Sequence, residues 1–272
     1  MLGVSHATSG AVLGLAVAGY APLAFGIEPS AGSVLTFAAV CAGAALLPDL
    51  DHPSSTATKH FTAASFLASQ VVRPLSGLVY RLTRARRDTG KGTHRGLTHT
   101  VLGAVLLGLG VNLASAAWGA PVLLGTLFVC LALAIKGLDA IVPGPPSLVA
   151  AAALTFAVEA YVPGGTAGTA GWLGTAVALG MVVHSVGDAI TESGAPLLWP
   201  VPIRQRRWYP VGSPRPLRFR TGGKVEAWLV APGLTVAAFV LAALVVPGVA
   251  PVLLDLRDRV EQLIAGAAMM AP

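Results

Sequence analysis

A chain of 272 residues that is 54% hydrophobic and 11% charged, with a mean hydropathy of +0.73, carries more apolar surface than a water-soluble domain buries. That excludes a soluble enzyme and predicts an all-α, polytopic integral membrane helical bundle, because a hydrocarbon core accepts helices of about 20 apolar residues and no exposed backbone. The net charge of +6 is also uneven, with 15 of the 18 basic residues in segments 59–95 and 204–224, a pattern that marks cytoplasmic loops rather than a nucleic-acid surface.

In chain order, seven apolar runs read as spans: 7–27, 31–47, 98–118, 121–135, 147–162, 167–183 and 227–246. The first begins beside His6 without a basic leader or an Ala-x-Ala-type end, so it is expected to stay in the protein rather than be cleaved. The second ends in Leu47-Pro48-Asp49-Leu50-Asp51-His52-Pro53, and residues 49–96 follow as a basic cytoplasmic loop. The fourth and fifth are short and joined through Pro143-Gly144-Pro145-Pro146, which allows tilt or re-entry. A second cytoplasmic loop is expected over 191–225. Residues 1–250 then form one membrane domain, and 251–272 an amphipathic tail in which Leu253, Leu254, Leu256, Val260, Leu263 and Ile264 supply the apolar side. Cys41 and Cys130 sit in separate apolar runs without redox or zinc spacing.

Placing both basic loops in the cytoplasm sets the direction of every span. The first starts, the second ends, the third starts and the sixth ends at that face of the inner (plasma) membrane. Four short polar clusters therefore share it: His6, Asp49 to His52, His94 to His99, and His184 to Asp188. Membrane lipid is the expected partner, each basic residue near anionic head groups contributing about 1 kcal/mol.

Each cluster holds residues that can ligate a metal. His184 and Asp188 are four apart and share a helical face, within reach of one ion or of a hydrogen bond to each other. An acid inside a span is costly unless a partner or a polar cavity receives it. Asp49, Asp51 and His52 lie between two prolines, where adjacent side chains diverge; Asp51 and His52 are candidate ligands, and Asp49 a candidate general base or orienting acid. His94 and His99 are five apart, so they meet one ion only if His94 is in the loop and His99 in the first turn of the span. Between them Arg95 is either an anion clamp or one more positive-inside charge. His6 completes the candidates. Nitrogen and oxygen donors without thiolate suit Zn²⁺, with Mn²⁺ or Fe²⁺ also compatible.

These motifs, with His184-x-x-x-Asp188-x-x-Thr191-x-x-Gly194 running to Leu197-Leu198-Trp199-Pro200, resemble those of the YdjM-like family of inner-membrane metal-dependent hydrolases, in order and spacing, over about residues 1 to 205. The resemblance implies metal-site roles for His6, Asp51, His52, His94, His99, His184 and Asp188, and catalytic roles for Asp49 and Arg95 are expected beside them. A fainter likeness, in the order of histidines and acids, is to the zinc-dependent phospholipase C and P1 nuclease group, although later histidines that would complete a trinuclear site are absent. The expectation is a membrane-bound hydrolase acting on a phosphoester in a lipid-like substrate. The rivals are an ion- or proton-coupled transporter, which would place polar residues in mid-span, and a scaffold with a structural metal.

Overall fold

The computed structural model describes residues 1–51, 62–89, 92, 95–138 and 146–269. Among them the chain is all-helical, with no strand: α1 Gly3–Tyr20, α2 Ala31–Ala44, α3 Thr62–Thr83, α4 Val101–Trp118, α5 Ala120–Gly137, α6 Pro146–Tyr161, α7 Leu173–Ala189, α8 Ala231–Val245 and α9 Val249–Met269. Among the described residues, four segments are long and apolar enough to cross a membrane: Ala31–Asp51, Val101–Trp118, Ala120–Gly137 and Glu226–Val245. Ser147–Tyr161 and Leu173–Ala189 are shorter apolar helices.

Two sequence expectations shift. The first apolar run is helical from Gly3, which places His6 inside the opening turns of α1, and the helix stops at Tyr20, where Pro22 and left-handed Gly26 (φ 69°) turn the chain. The sixth becomes a helix only from Leu173, after a 3₁₀ turn at Ala167–Thr169, and continues to Ala189, so His184 and Asp188 share a helical face as their spacing predicts and lie within its last turns. Its polar residues stay helical because their side chains are buried against partners and Thr191 Oγ1 donates to the Asp188 carbonyl (2.7 Å) as the helix ends.

A larger correction concerns the stretch read as a loop over 49–96, which contains the 22-residue helix α3. Its basic residues mask a helical period. Val71, Leu75, Leu78 and Leu82 make an exposed apolar stripe, while Ser69, Ser76 and Tyr80 face the bundle and are buried. An apolar stripe facing outward on a helix that also carries Arg73 and Arg81 has the composition of a helix lying in a membrane interface.

The bundle is built around α2, which packs on α1, α5 and α7, and buries Val34, Phe37, Val40, Cys41 and Ala44. Helices in an apolar solvent gain little from burying apolar surface, so close backbone approach between small residues has to hold them. Here Gly10 and Gly14 of α1 face Cys41 and Ala38 of α2, and Gly180 of α7 faces the Cys41 carbonyl and Ala44. A Cβ at Gly10 would stand 2.5 Å from the Cys41 oxygen. Replacing Gly180 with Val is therefore expected to force α7 from α2, at a cost of about 1–3 kcal/mol, and to separate His184 from the turn after α2. A lowered unfolding temperature in detergent together with reduced metal retention checks this; an unchanged protein would mean that the α2–α7 approach is not what sets the site.

Candidate metal centre

Four helix ends meet at one end of the bundle: α1 and α4 start there, and α2 and α7 finish there. Their short polar caps are what the site is made from. After α2 the chain tightens into a 3₁₀ turn, Pro48–Asp51, and before α4 into another, Leu97–His99. Thr100 caps α4, its side chain accepting from the Gly103 N–H at 2.9 Å. His99 is thus presented by the 3₁₀ turn rather than by the first turn of the helix.

His6, Asp51, His99, His184 and Asp188 are all buried, and the side chain of Asp49 is 21% exposed. The rings of His6 and His184 stack with centroids 3.7 Å apart. His184 Nε2 lies 3.2 Å from His99 Nε2, 3.8 Å from Asp49 Oδ1 and 3.8 Å from Asp188 Oδ2. Asp188 also approaches His6 Nε2 through Oδ1 at 3.3 Å and His99 Nε2 through Oδ2 at 3.6 Å. Residues separated by more than 180 positions therefore share a space a few ångströms across. His6, His184 and Asp188 form one group with the spacing of metal ligands, and Asp49, His99 and His184 form another. His52 and His94 lie outside the described residues.

The hydrogen bonds behind the rings fix which nitrogens are bare. His184 Nδ1 is 2.7 Å from the Ala45 carbonyl, which only accepts, so Nδ1 carries the proton and Nε2 keeps its lone pair. Thr98 Oγ1 donates to Asp51 Oδ2 at 3.0 Å and lies 3.1 Å from His99 Nδ1. With its own proton committed to Asp51, that hydroxyl accepts from His99 Nδ1–H, leaving His99 Nε2 bare as well. Two imidazole nitrogens 3.2 Å apart, with carboxylate oxygens beside both, either share a proton or gather around a cation. His6 Nδ1 is buried with no hydrogen-bond partner. The donor set, the hydrogen bonds to Ala45 and Thr98 that orient its histidines, and this orphaned nitrogen all fit a divalent metal ion.

The positions also separate the two acids of the proline-bounded turn. Asp49 approaches the bare nitrogen of His184, whereas Asp51 sits behind His99, reached through Thr98 and lying 3.5 Å from its Nδ1. Arg95 completes the centre: Nη2 is 3.0 Å from Asp188 Oδ2 and Nη1 donates to the Gly194 carbonyl at 2.7 Å. Its backbone adopts φ 50°, a left-handed conformation that costs an ordinary residue about 1–2 kcal/mol and here aims the guanidinium at both acceptors. The Met1 amino group lies 2.6 Å from Asp188 Oδ1.

One contributor escaped the sequence reading. Glu226, fully buried, accepts from the Leu2 N–H at 2.6 Å and the Gly222 N–H at 2.7 Å. It ties the start of α1, four residues before His6, to the turn Glu226–Val230 that precedes α8. The available signal was an acid at the head of an apolar run, where burial demands donors.

Among known proteins, no curated sequence and no solved structure matches this chain. A family model, described as YdjM inner membrane protein, matches residues 1–145 and 147–252. Because that match takes in nearly the whole chain, including all four clusters of the centre, the protein belongs to the YdjM inner membrane protein family.

Proposed function

We propose that this protein is a seven-span inner-membrane hydrolase that uses one divalent metal ion, Zn²⁺ by ligand type, at a site on the cytoplasmic face, and that its substrate is a phosphoester in a lipid or lipid-like molecule. The observation that carries the reading is the pair of bare imidazole nitrogens of His184 and His99, 3.2 Å apart beside Asp188. A single ion fits better than two. His184 belongs to both ligand groups but has only one lone pair to give, its other nitrogen being engaged with Ala45.

His6, His99, His184 and Asp188 would hold the ion. When bound it would polarise a phosphoryl oxygen and acidify a water, lowering the water's pKa from 15.7 towards about 7. The remaining work falls to the chain. Thr98 and Asp51 keep His99 in the tautomer that presents Nε2, and Ala45 does the same for His184. Asp49, the most exposed of the site's acids, is placed to take a proton from the attacking water. Arg95 holds Asp188 through Nη2 and the Gly194 carbonyl through Nη1, and offers its remaining N–H donors to an anionic substrate. Cytoplasmic placement rests on the two basic segments, and the lipid assignment on a buried site at the end of a membrane bundle.

Both rivals fit less well. A proton or cation relay requires ionisable groups through the depth of several helices, whereas the ligating groups crowd one end of the bundle. A structural metal calls for a sphere closed by four protein ligands; the hydrolytic reading needs one further position for water, and it is supported by Asp49 and Arg95, which are partly open beside the ligands. The test is hydrolysis by protein purified in detergent, assayed with and without stoichiometric Zn²⁺, Mn²⁺ or Fe²⁺ against phospholipid, lipid-phosphate and ester substrates. Phosphoester turnover only with metal bound is expected. A metal-loaded protein inert on the whole panel would move the reading to a scaffold, and full activity after metal removal would reject it.

A further inference from the structure

Two cavities flank the metal centre, and their chemistries differ. One, about 340 Å³, is apolar and lies between α3, α4 and α7. Leu50, Val72, Leu75, Leu106 and Met181 line it, and it ends at Thr98, whose hydroxyl is the link between Asp51 and His99. The other, about 220 Å³, is bordered by Arg95, Tyr80, Arg206, Trp208, Thr89 and Ser193. Arg95 joins it to the centre, through Asp188.

The second cavity is a donor-rich pocket. Its acid, Asp88, is already spent: the carboxylate accepts the backbone N–H groups of Ala85, Arg207 and Trp208 at 2.7–3.2 Å. It thereby pins the segment after α3 to the loop that carries Arg206. Among the described residues, what is left to face a ligand is two guanidinium groups and three hydroxyls. Tyr80, 3% exposed, has a buried hydroxyl without a hydrogen-bond partner among the described residues. Burial, helped by the Asp88 charge, pushes its phenol above the ordinary value, and the Arg206 charge opposes that rise. Tyr80 therefore remains a protonated donor at neutral pH, and Arg206 borders the same pocket.

Helix α3 spans both cavities. Val72 and Leu75 line the apolar one, and Tyr80, little more than a turn further on, lines the polar one. An apolar cavity, a metal centre and a cationic pocket in sequence match an amphiphile of one particular kind. We propose that the substrate lies astride the centre, its hydrocarbon chain in the Leu50–Val72–Met181 cavity and, beyond the phosphorus attacked, a second oxyanion of its head group between Arg206 and Tyr80. This rests on the phosphoester reading above and narrows it to lipids with a further phosphate or equivalent anion past the scissile one. Arg95 then stands between the two anionic groups, and Arg206 supplies the charge that a monophosphate lipid would leave unused.

Binding distinguishes this from the hydrolytic reading. Farnesyl diphosphate, farnesyl monophosphate and inorganic pyrophosphate present the chain with two anions, the chain with one, and two anions with no chain. Each is titrated into metal-loaded protein at low temperature, with the fluorescence of Trp208, which borders the polar pocket, as the signal and with native mass spectrometry as a second readout. Farnesyl diphosphate is expected to bind at least about tenfold tighter than either of the others, one lost charge-assisted contact being worth roughly that factor. Arg206→Gln should erase its advantage over the monophosphate, and Tyr80→Phe should reduce it. Val72→Trp should weaken both farnesyl ligands and leave pyrophosphate unchanged, which also shows that this variant folds. Equal affinities for the two farnesyl ligands, or an advantage that survives Arg206→Gln, would overturn the proposal even if phosphoesters are hydrolysed. The expected affinity pattern without turnover of any phosphoester would sink the hydrolytic reading and leave the two subsites standing.

Discussion

Replacing His184 with Ala is expected to empty the metal centre and stop hydrolysis together. Its Nε2 lies within 3.8 Å of His99, Asp49 and Asp188, so among the described residues it is the donor common to both candidate ligand groups. A metal's contribution to phosphoester cleavage is several kcal/mol, so turnover should fall by about 10³-fold or more. Metal content by elemental analysis should fall from near stoichiometric to near zero in the same preparation. His184→Gln keeps most of the buried volume and separates loss of a ligand from collapse of the packing against α2. If either variant retained both metal and rate, His184 would not be a ligand and the site would have to be rebuilt around Asp188 and His99.

Arg95→Ala should behave differently. Its guanidinium sits outside the ligand set, bridging Asp188 Oδ2 and the Gly194 carbonyl with 21% of its side chain exposed. The metal should stay bound, and kcat/KM should fall by roughly 10²-fold, the usual loss when a donor to developing oxyanion charge is removed. Arg95→Lys should restore only part of the rate. An ammonium is a point charge on a flexible stem and cannot hold Asp188 and Gly194 while also facing an anion. Loss of metal from Arg95→Ala to the extent expected of His184→Ala would make Arg95 a positioning residue for Asp188 and remove it from catalysis.

The helical class and the location of most of the helices were legible because apolar runs of membrane length leave the backbone no alternative to internal hydrogen bonding. The four clusters were legible for a related reason: ionisable groups at the ends of such runs are costly unless used. Helix α3 was not read because a charge count drew attention to Arg73 and Arg81 and away from the three- and four-residue spacing of Val71, Leu75, Leu78 and Leu82. The helical pairing of His184 with Asp188 was legible from their spacing, whereas the start of α7 at Leu173 was not, because residues 167–172 are uncharged, like the first turns of the helix that follows them.

What the sequence by itself determined is therefore the inventory and its rough address: an α-helical membrane chain, with His6, Asp49, Asp51, His99, His184 and Asp188 at helix ends that alternating chain direction brings to one face. Composition and periodicity act locally, so they carry that much and no more. Only the tertiary structure decided how these residues divide the work. Asp49 came to face the bare nitrogen of His184 while Asp51 went behind Thr98 and His99, although the two acids are two positions apart in one turn. Glu226 became the tie that holds the start of α1, and Tyr80 and Arg206 came to border one pocket. The placing of α1 and α7 against α2 depends on the close contacts of Gly10, Gly14 and Gly180, and the meeting of Tyr80 with Arg206 on the Asp88 carboxylate that joins the segment after α3 to the loop carrying Arg206. Shifts of an ångström there decide which lone pair meets which partner, and no local pattern in the chain encodes distances of that size.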